Sequence, residues 1–159
     1  MIKILNINIL HFFSFLLAIF LAGFIQSSGF LLIKGLGPNI SLIILLLATF
    51  FSPNFVELLF YLFSSFFILS WRPELSPELC VLAVVTILAY FASRFLSLSK
   101  TINFIILVAT GSALFYLFLS PLFLFHFPLI AIKEIFLNSL FAAILAFFIS
   151  FFSSRFHFF

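Results

Sequence analysis

The sequence predicts an all-α fold. It reads as a single integral membrane domain, residues 1–159, built as a polytopic bundle of about six transmembrane helices with the second short or broken. Three observations carry this. Hydrophobic residues make up 66% of the chain and charged residues 7%, with a mean hydropathy of +1.46; a water-soluble domain needs far more charge to cover its surface. Apolar runs of roughly 18 or more residues recur, each long enough to cross ~30 Å of hydrocarbon. Between the runs, Pro, Gly, Ser and the few charges gather in short stretches. The densest is Trp71-Arg72-Pro73-Glu74-Leu75-Ser76-Pro77-Glu78, a water-exposed corner between two spans.

Helix 1 is predicted from about Ile4 to Ile25, as a retained span, because a secretory signal has a shorter apolar region of ~7–15 residues. Ala18, Ala22 and Gly23 give it a small-residue face for close helix approach. Lys34-Gly35-Leu36-Gly37-Pro38 breaks the next apolar segment, so helix 2 starts near Asn39 and reaches only Phe51. A helix that short either extends back through the glycines or lies buried among its neighbours. Ser52-Pro53-Asn54 turns into helix 3, about Phe55 to Trp71, with Asn54 and Glu57 spaced as a capping box.

Ser76-Pro77-Glu78 supplies an N-cap, a proline at the first helical position and an acidic first turn for helix 4, which runs to about Phe95. The polar link Ser97–Thr101 leads into helix 5, about Ile102 to Leu119, whose middle, Ala109-Thr110-Gly111-Ser112-Ala113, is a patch of small residues. Ser120-Pro121 ends it, an apolar connection follows to Pro128, and helix 6 runs from Leu129 or Lys133 to Phe152. With six spans and the N-terminus inside, Lys3, Arg94, Lys100 and Arg155 share one side, and Lys34, Arg72 and Lys133 the other. This excess favours cytoplasmic N- and C-termini.

The chemistry available is sparse. Asp is absent, so carboxylate metal sites and two-carboxylate hydrolytic pairs would have to come from four Glu residues. His11, His126 and His157 are far apart and lack the spacing of metal ligands. Cys80 cannot form an internal disulfide and reads as a small packing residue near a helix start. No basic run suits nucleic acid, and no nucleophile or phosphate-loop motif is present. The expectation is no enzyme, no cofactor and no metal. The thirty Phe residues are spread through nearly every apolar segment, as lipid-facing and packing bulk.

The most informative polar set is Lys133-Glu134 with Asn138. Glu134 and Asn138 are four apart and share a helix face. One account is an interface ion pair plus one interhelical hydrogen bond. The other is a docking face for a partner membrane protein, formed by Glu134, Asn138, Ala142, Gly111, Ala18 and Ala22. On the second, Asn138→Leu weakens partner association and leaves the monomer folded.

Three stretches, Leu88-Ala89-Tyr90-Phe91-Ala92-Ser93-Arg94-Phe95-Leu96, Gly111-Ser112-Ala113-Leu114-Phe115-Tyr116 and Lys133-Glu134-Ile135-Phe136-Leu137-Asn138, together resemble the second half of the rod shape-determining protein MreD family. Gly37-Pro38-Asn39 is similar to that family's Pro-Asn/Asp helix start. One departure lies at the end of helix 3, where the family carries a Gly-Leu-Leu-Leu-Asp type segment and this chain reads Ser64-Ser65-Phe66-Phe67-Ile68-Leu69-Ser70. The resemblance implies a non-enzymatic scaffold of the cell-elongation machinery in the bacterial inner membrane, partnered by an MreC-like protein and cell-wall synthase proteins. The family also looks architecturally similar to the substrate-binding S components of energy-coupling-factor vitamin transporters, whose Ala-xxx-Ala face Ala18 and Ala22 would match. That alternative requires a small-molecule pocket near one membrane face, for which Asn39, Glu57, Tyr61, Trp71, Tyr90 and Tyr116 are the polar and aromatic candidates.

Overall fold

The computed structural model describes residues 3–4, 7–28, 36–52, 54–69 and 76–156, with side chains for 12–28, 36–50, 52, 54–69 and 76–150. Helices dominate. They are α1 Ile9–Ser28, α2 Ile40–Phe51, α3 Phe55–Leu69, α4 Pro77–Ser93, α5 Lys100–Leu119, α6 Pro121–His126 and α7 Pro128–Phe156. Ahead of them, β1 (Lys3–Ile4) pairs antiparallel with β2 (Ile7–Asn8), so α1 begins at Ile9 rather than near Ile4.

The helix starts follow from the sequence. Asn39, Ser76 and Ser99 each accept, through the side chain, the N–H of the residue three positions on (Leu42, Leu79 and Ile102). Each satisfies one of the N–H groups a helix leaves open at its start. Pro77 occupies the first turn of α4, where its missing N–H costs nothing.

α3 is described to Leu69, and its expected end at Trp71 falls outside the described residues. Two other stretches differ from expectation. The apolar connection after Pro121 is itself a short helix, α6, because an apolar backbone away from water must satisfy its own N–H and C=O groups. The last helix starts at Pro128 and continues through Phe156, past the expected Phe152. At ~1.5 Å per residue its 29 residues extend about 43 Å.

The segments Lys100–Leu119 and Pro128–Ser150 are long and apolar enough to cross a membrane. Phe12–Ser28, Ile40–Phe50, Phe55–Leu69 and Pro77–Ser93 are shorter apolar helices. α2 has only 12 residues, about 18 Å, and it is the centre of the fold. α1, α3, α4, α5 and α7 all pack on it, and Leu42, Ile43 and Leu46 are fully buried. Of the two possibilities for the short second helix, burial among its neighbours is the one observed.

Successive helices alternate in direction, giving the bundle two ends. At the first end α1, α3 and α5 finish and α2, α4 and α7 start, as the bond between Gln26 and Ser41 and the proximity of Gly23 to Leu69 require. At the second end α2 and α4 finish and α3 and α5 start. There Arg94 reaches Ser52, and Phe55 lies 5.7 Å from Tyr90.

Large apolar side chains fill the core and also cover much of the exterior, and a few polar groups lie inside. Ser41, Thr49, Ser65, Thr86, Ser112 and Asn138 are buried, whereas Phe13, Phe24, Phe63, Phe67, Phe136 and Phe147 are more than half exposed. Most buried hydroxyls cost little because they bond back to their own helix: Thr49 to Leu46, Ser65 to Leu62 and Thr86 to Leu82.

Candidate functional site

Side chains that are polar on both ends of the group, unlike these hydroxyls, cannot be satisfied within one helix turn, and they mark where helices are tied together. Asn138 on α7 is the chief example. It has no exposed surface. Its Oδ1 accepts the Asn39 backbone N–H at 2.7 Å, and its Nδ2 donates to the Ser112 Oγ at 2.9 Å. Asn39 in turn caps α2 through Leu42 N–H at 3.0 Å. One asparagine therefore fixes where the central helix begins and joins it to α5 and α7. Beside this, the Gln26 Oε1 accepts both the Ser41 hydroxyl and backbone N–H at 3.0 and 3.3 Å, tying α1 to α2.

The seam continues through small residues. Gly111 is buried, and a Cβ there would lie 2.8 Å from Leu46 Cδ1 and 3.5 Å from Val85 Cγ1. Its missing side chain is what lets α5 approach both α2 and α4. Ala142 is fully buried and Ala22 nearly so, while Ala18 is half-buried. Gly23 meets Leu69 of α3 at 2.9 Å from a Cβ position.

These placements correct the expected docking face. Asn138, Gly111, Ala142 and Ala22 are consumed by contacts inside the chain and offer no surface to another protein. Glu134 is half-buried and sets its carboxyl group against the Tyr116 hydroxyl of α5. Lys133 and Glu134, expected as an ion pair, differ in their surroundings on α7. Neighbours at i and i+1 point to different sides of a helix, and Lys133 is exposed while Glu134 turns inward.

Where the first end meets this seam there is an open cleft of about 220 Å³, lined by Gln26, Asn39, Ser41, Ser76, Glu78 and Phe115 among others. Of the pocket residues expected from sequence, only Asn39 lies on it. Glu57, Tyr61 and Tyr90 sit toward the second end, Tyr116 faces α7, and Trp71 is outside the described residues. Most polar atoms of the cleft are already engaged: Gln26 with Ser41, Asn39 with Leu42 and Asn138, and Ser76 with Leu79.

At the second end Glu57 is buried in the first turn of α3 and accepts the Tyr61 hydroxyl at 2.9 Å. The Tyr61 ring stacks on Phe12 of α1 at a centroid distance of 5.8 Å and lies tilted against Phe15 at 4.5 Å. Tyr61→Phe keeps these ring contacts and strips the carboxyl group of its donor. We expect a loss of about 1–2 kcal/mol in a detergent unfolding titration, with most of it recovered in Glu57→Leu/Tyr61→Phe, where no buried polar atom is left over. A double variant as unstable as the single one would show that the hydrogen bond is not what Tyr61 contributes.

His126 is exposed and its Nδ1 lies 2.9 Å from the Leu122 carbonyl. The His11 side chain and His157 are outside the described residues. Cys80 is exposed on the first turn of α4, not packed as expected. Sequence reasoning missed the links from Asn39 to Asn138 and from Gln26 to Ser41, and the clamp of Arg94 on Tyr90. The available signal was each amide's isolation in an apolar helix, which demands a partner without saying which.

Comparison with known protein families, curated proteins and solved structures returns no match to this chain.

Proposed function

We propose that this chain is a multi-span protein of the bacterial inner membrane, with about six spans and both termini cytoplasmic. In this reading it acts as a non-enzymatic scaffold of the cell-elongation machinery, in the manner of the MreD family. The observation that carries it is the apolar exterior: many Phe, Leu and Ile side chains stand exposed, while buried amide and hydroxyl groups are tied between or within helices. Such a molecule suits lipid as its solvent and other membrane proteins as its partners. Since Asn138, Gly111 and Ala142 are internal, the surfaces left for an MreC-like protein or a cell-wall synthase are the outward sides of α1 and α7. There Phe13, Leu17, Phe24, Phe136, Leu140 and Phe147 stand exposed.

A second reading, a vitamin-binding S component, draws support from the polar cleft at one end of the bundle. Its 220 Å³ falls below the ~300–1,000 Å³ usual for pockets that enclose a small ligand. The two readings separate in one pair of measurements. The scaffold reading expects the chain to co-purify with a co-expressed MreC-like protein and its thermal midpoint to stay unchanged across a vitamin panel. A clear upward shift with any one vitamin, or no retention of the MreC-like partner, would sink it.

A further inference from the structure

The turn from α4 to α5 at the second end, residues 94–99, combines features the scaffold reading leaves unused. Phe95 is 87% exposed, more than any other large apolar side chain among the described residues, and Leu98 is 56% exposed. Phe91 and Ile102, on the adjoining helix turns, are about half exposed. This is a held conformation. The Asn103 side chain, itself 5% exposed, donates from Nδ2 to the Leu96 and Leu98 carbonyls at 3.3 and 3.0 Å. Leu96 packs inward on the core, and the Arg94 and Phe95 N–H groups bond back to Phe91 and Ala92. The turn is anchored from within while Phe95 and Leu98 point away from the protein.

Cations flank those side chains. Arg94 is exposed, with its guanidinium 4.7 Å over the Tyr90 ring and one nitrogen bonded to the Tyr90 hydroxyl at 2.8 Å and the Ser52 carbonyl at 3.3 Å. Lys100 is exposed in the first turn of α5, where no acidic residue offsets it. The one acid among the described residues here is Glu57, buried and facing Tyr61. The other end carries Glu78, Glu134 and Lys133. A rigid turn with outward aromatic and aliphatic side chains, two exposed cations and, among the described residues, no exposed acid matches an anionic lipid. Phosphate sits at the depth of the cations and acyl chain at the depth of the rings.

We propose that the α4–α5 turn is a headgroup site for anionic phospholipid, with Arg94 and Lys100 taking the lipid phosphate while Phe95 and Leu98 enter the acyl region. This rests on the membrane reading above, so the experiment first establishes that reading. The full chain is expressed and its membranes washed with alkaline carbonate; release into the supernatant would overturn both. Retained protein is reconstituted in phosphatidylcholine nanodiscs containing a minor share of phosphatidylglycerol, extracted gently, and its co-purifying lipids counted by mass spectrometry.

The wild-type chain should retain phosphatidylglycerol over phosphatidylcholine. Lys100→Gln should lower that preference about fivefold, and Phe95→Ser should lower retention of both lipids. Lys133→Gln, at the far end, should change nothing. Arg94 is left intact because it also braces Ser52. Unchanged preference in Lys100→Gln, or an equal fall in Lys133→Gln, overturns the proposal. Displacement of the lipid by millimolar inorganic phosphate would assign the site to free phosphate and overturn it as well.

Discussion

Asn138→Leu is expected to destabilise the fold itself by about 2 kcal/mol, because it leaves the Asn39 backbone N–H without an acceptor at the start of the central helix. The substitution nearly conserves volume, so packing loss is a minor part of the cost. Ser112→Ala removes only the other bond of Asn138 and should cost well under ~1 kcal/mol, near the average for interhelical hydrogen bonds in membranes. Reversible unfolding in mixed micelles gives both values. This reverses the expectation drawn from sequence, which had Asn138→Leu harming only association with a partner. Equal stability of Asn138→Leu and the wild-type chain would mean that the contact to Asn39 carries no energy.

Gly111 should be the least tolerant glycine. An added Cβ meets Leu46 Cδ1 at 2.8 Å, and Leu46 is wholly enclosed and cannot rotate away. Overpacking of this kind costs about 1–3 kcal/mol, against a gain of up to ~1 kcal/mol from replacing glycine within a helix. Gly111→Ala should therefore lose about 1–2 kcal/mol, and Gly111→Val, with two more methyl groups pressed on Leu46 and Val85, more than ~3 kcal/mol. Gly23 is a contrast on the same criterion. Its Cβ position lies 2.9 Å from the end of Leu69, a half-buried side chain with freedom to move aside. Gly23→Ala should fall within about 0.5 kcal/mol of the wild type. If the two alanine variants unfold at the same denaturant fraction, the close approach of α5 to α2 is not what Gly111 provides.

The anchored α4–α5 turn and the buried second helix illustrate how far local rules extend. Ser99 and Ser76 announce helix starts because an N-cap oxygen acts on a backbone N–H three residues away, a contact wholly within reach of the local sequence. Ser120-Pro121 announces an end for the same reason, since proline has no N–H to continue the ladder. α6 was not legible, since an apolar run of Leu and Phe fits a connection or a helix equally well without knowing its surroundings. The small residues at Gly111 and Ala142 were legible as seams, but not as seams within this chain.

The sequence by itself determined that most of this protein is apolar helix and where the capped helices α2, α4 and α5 begin. Composition and capping are local or additive properties, so no knowledge of the packed structure is needed to read them. Only the tertiary structure decided which partner each lone polar group would find. Asn138 could have faced lipid, another protein or its own chain. The choice was made by helices α2, α5 and α7 meeting, because a hydrogen bond across 99 positions depends on where two backbones come together and not on either neighbourhood in the sequence.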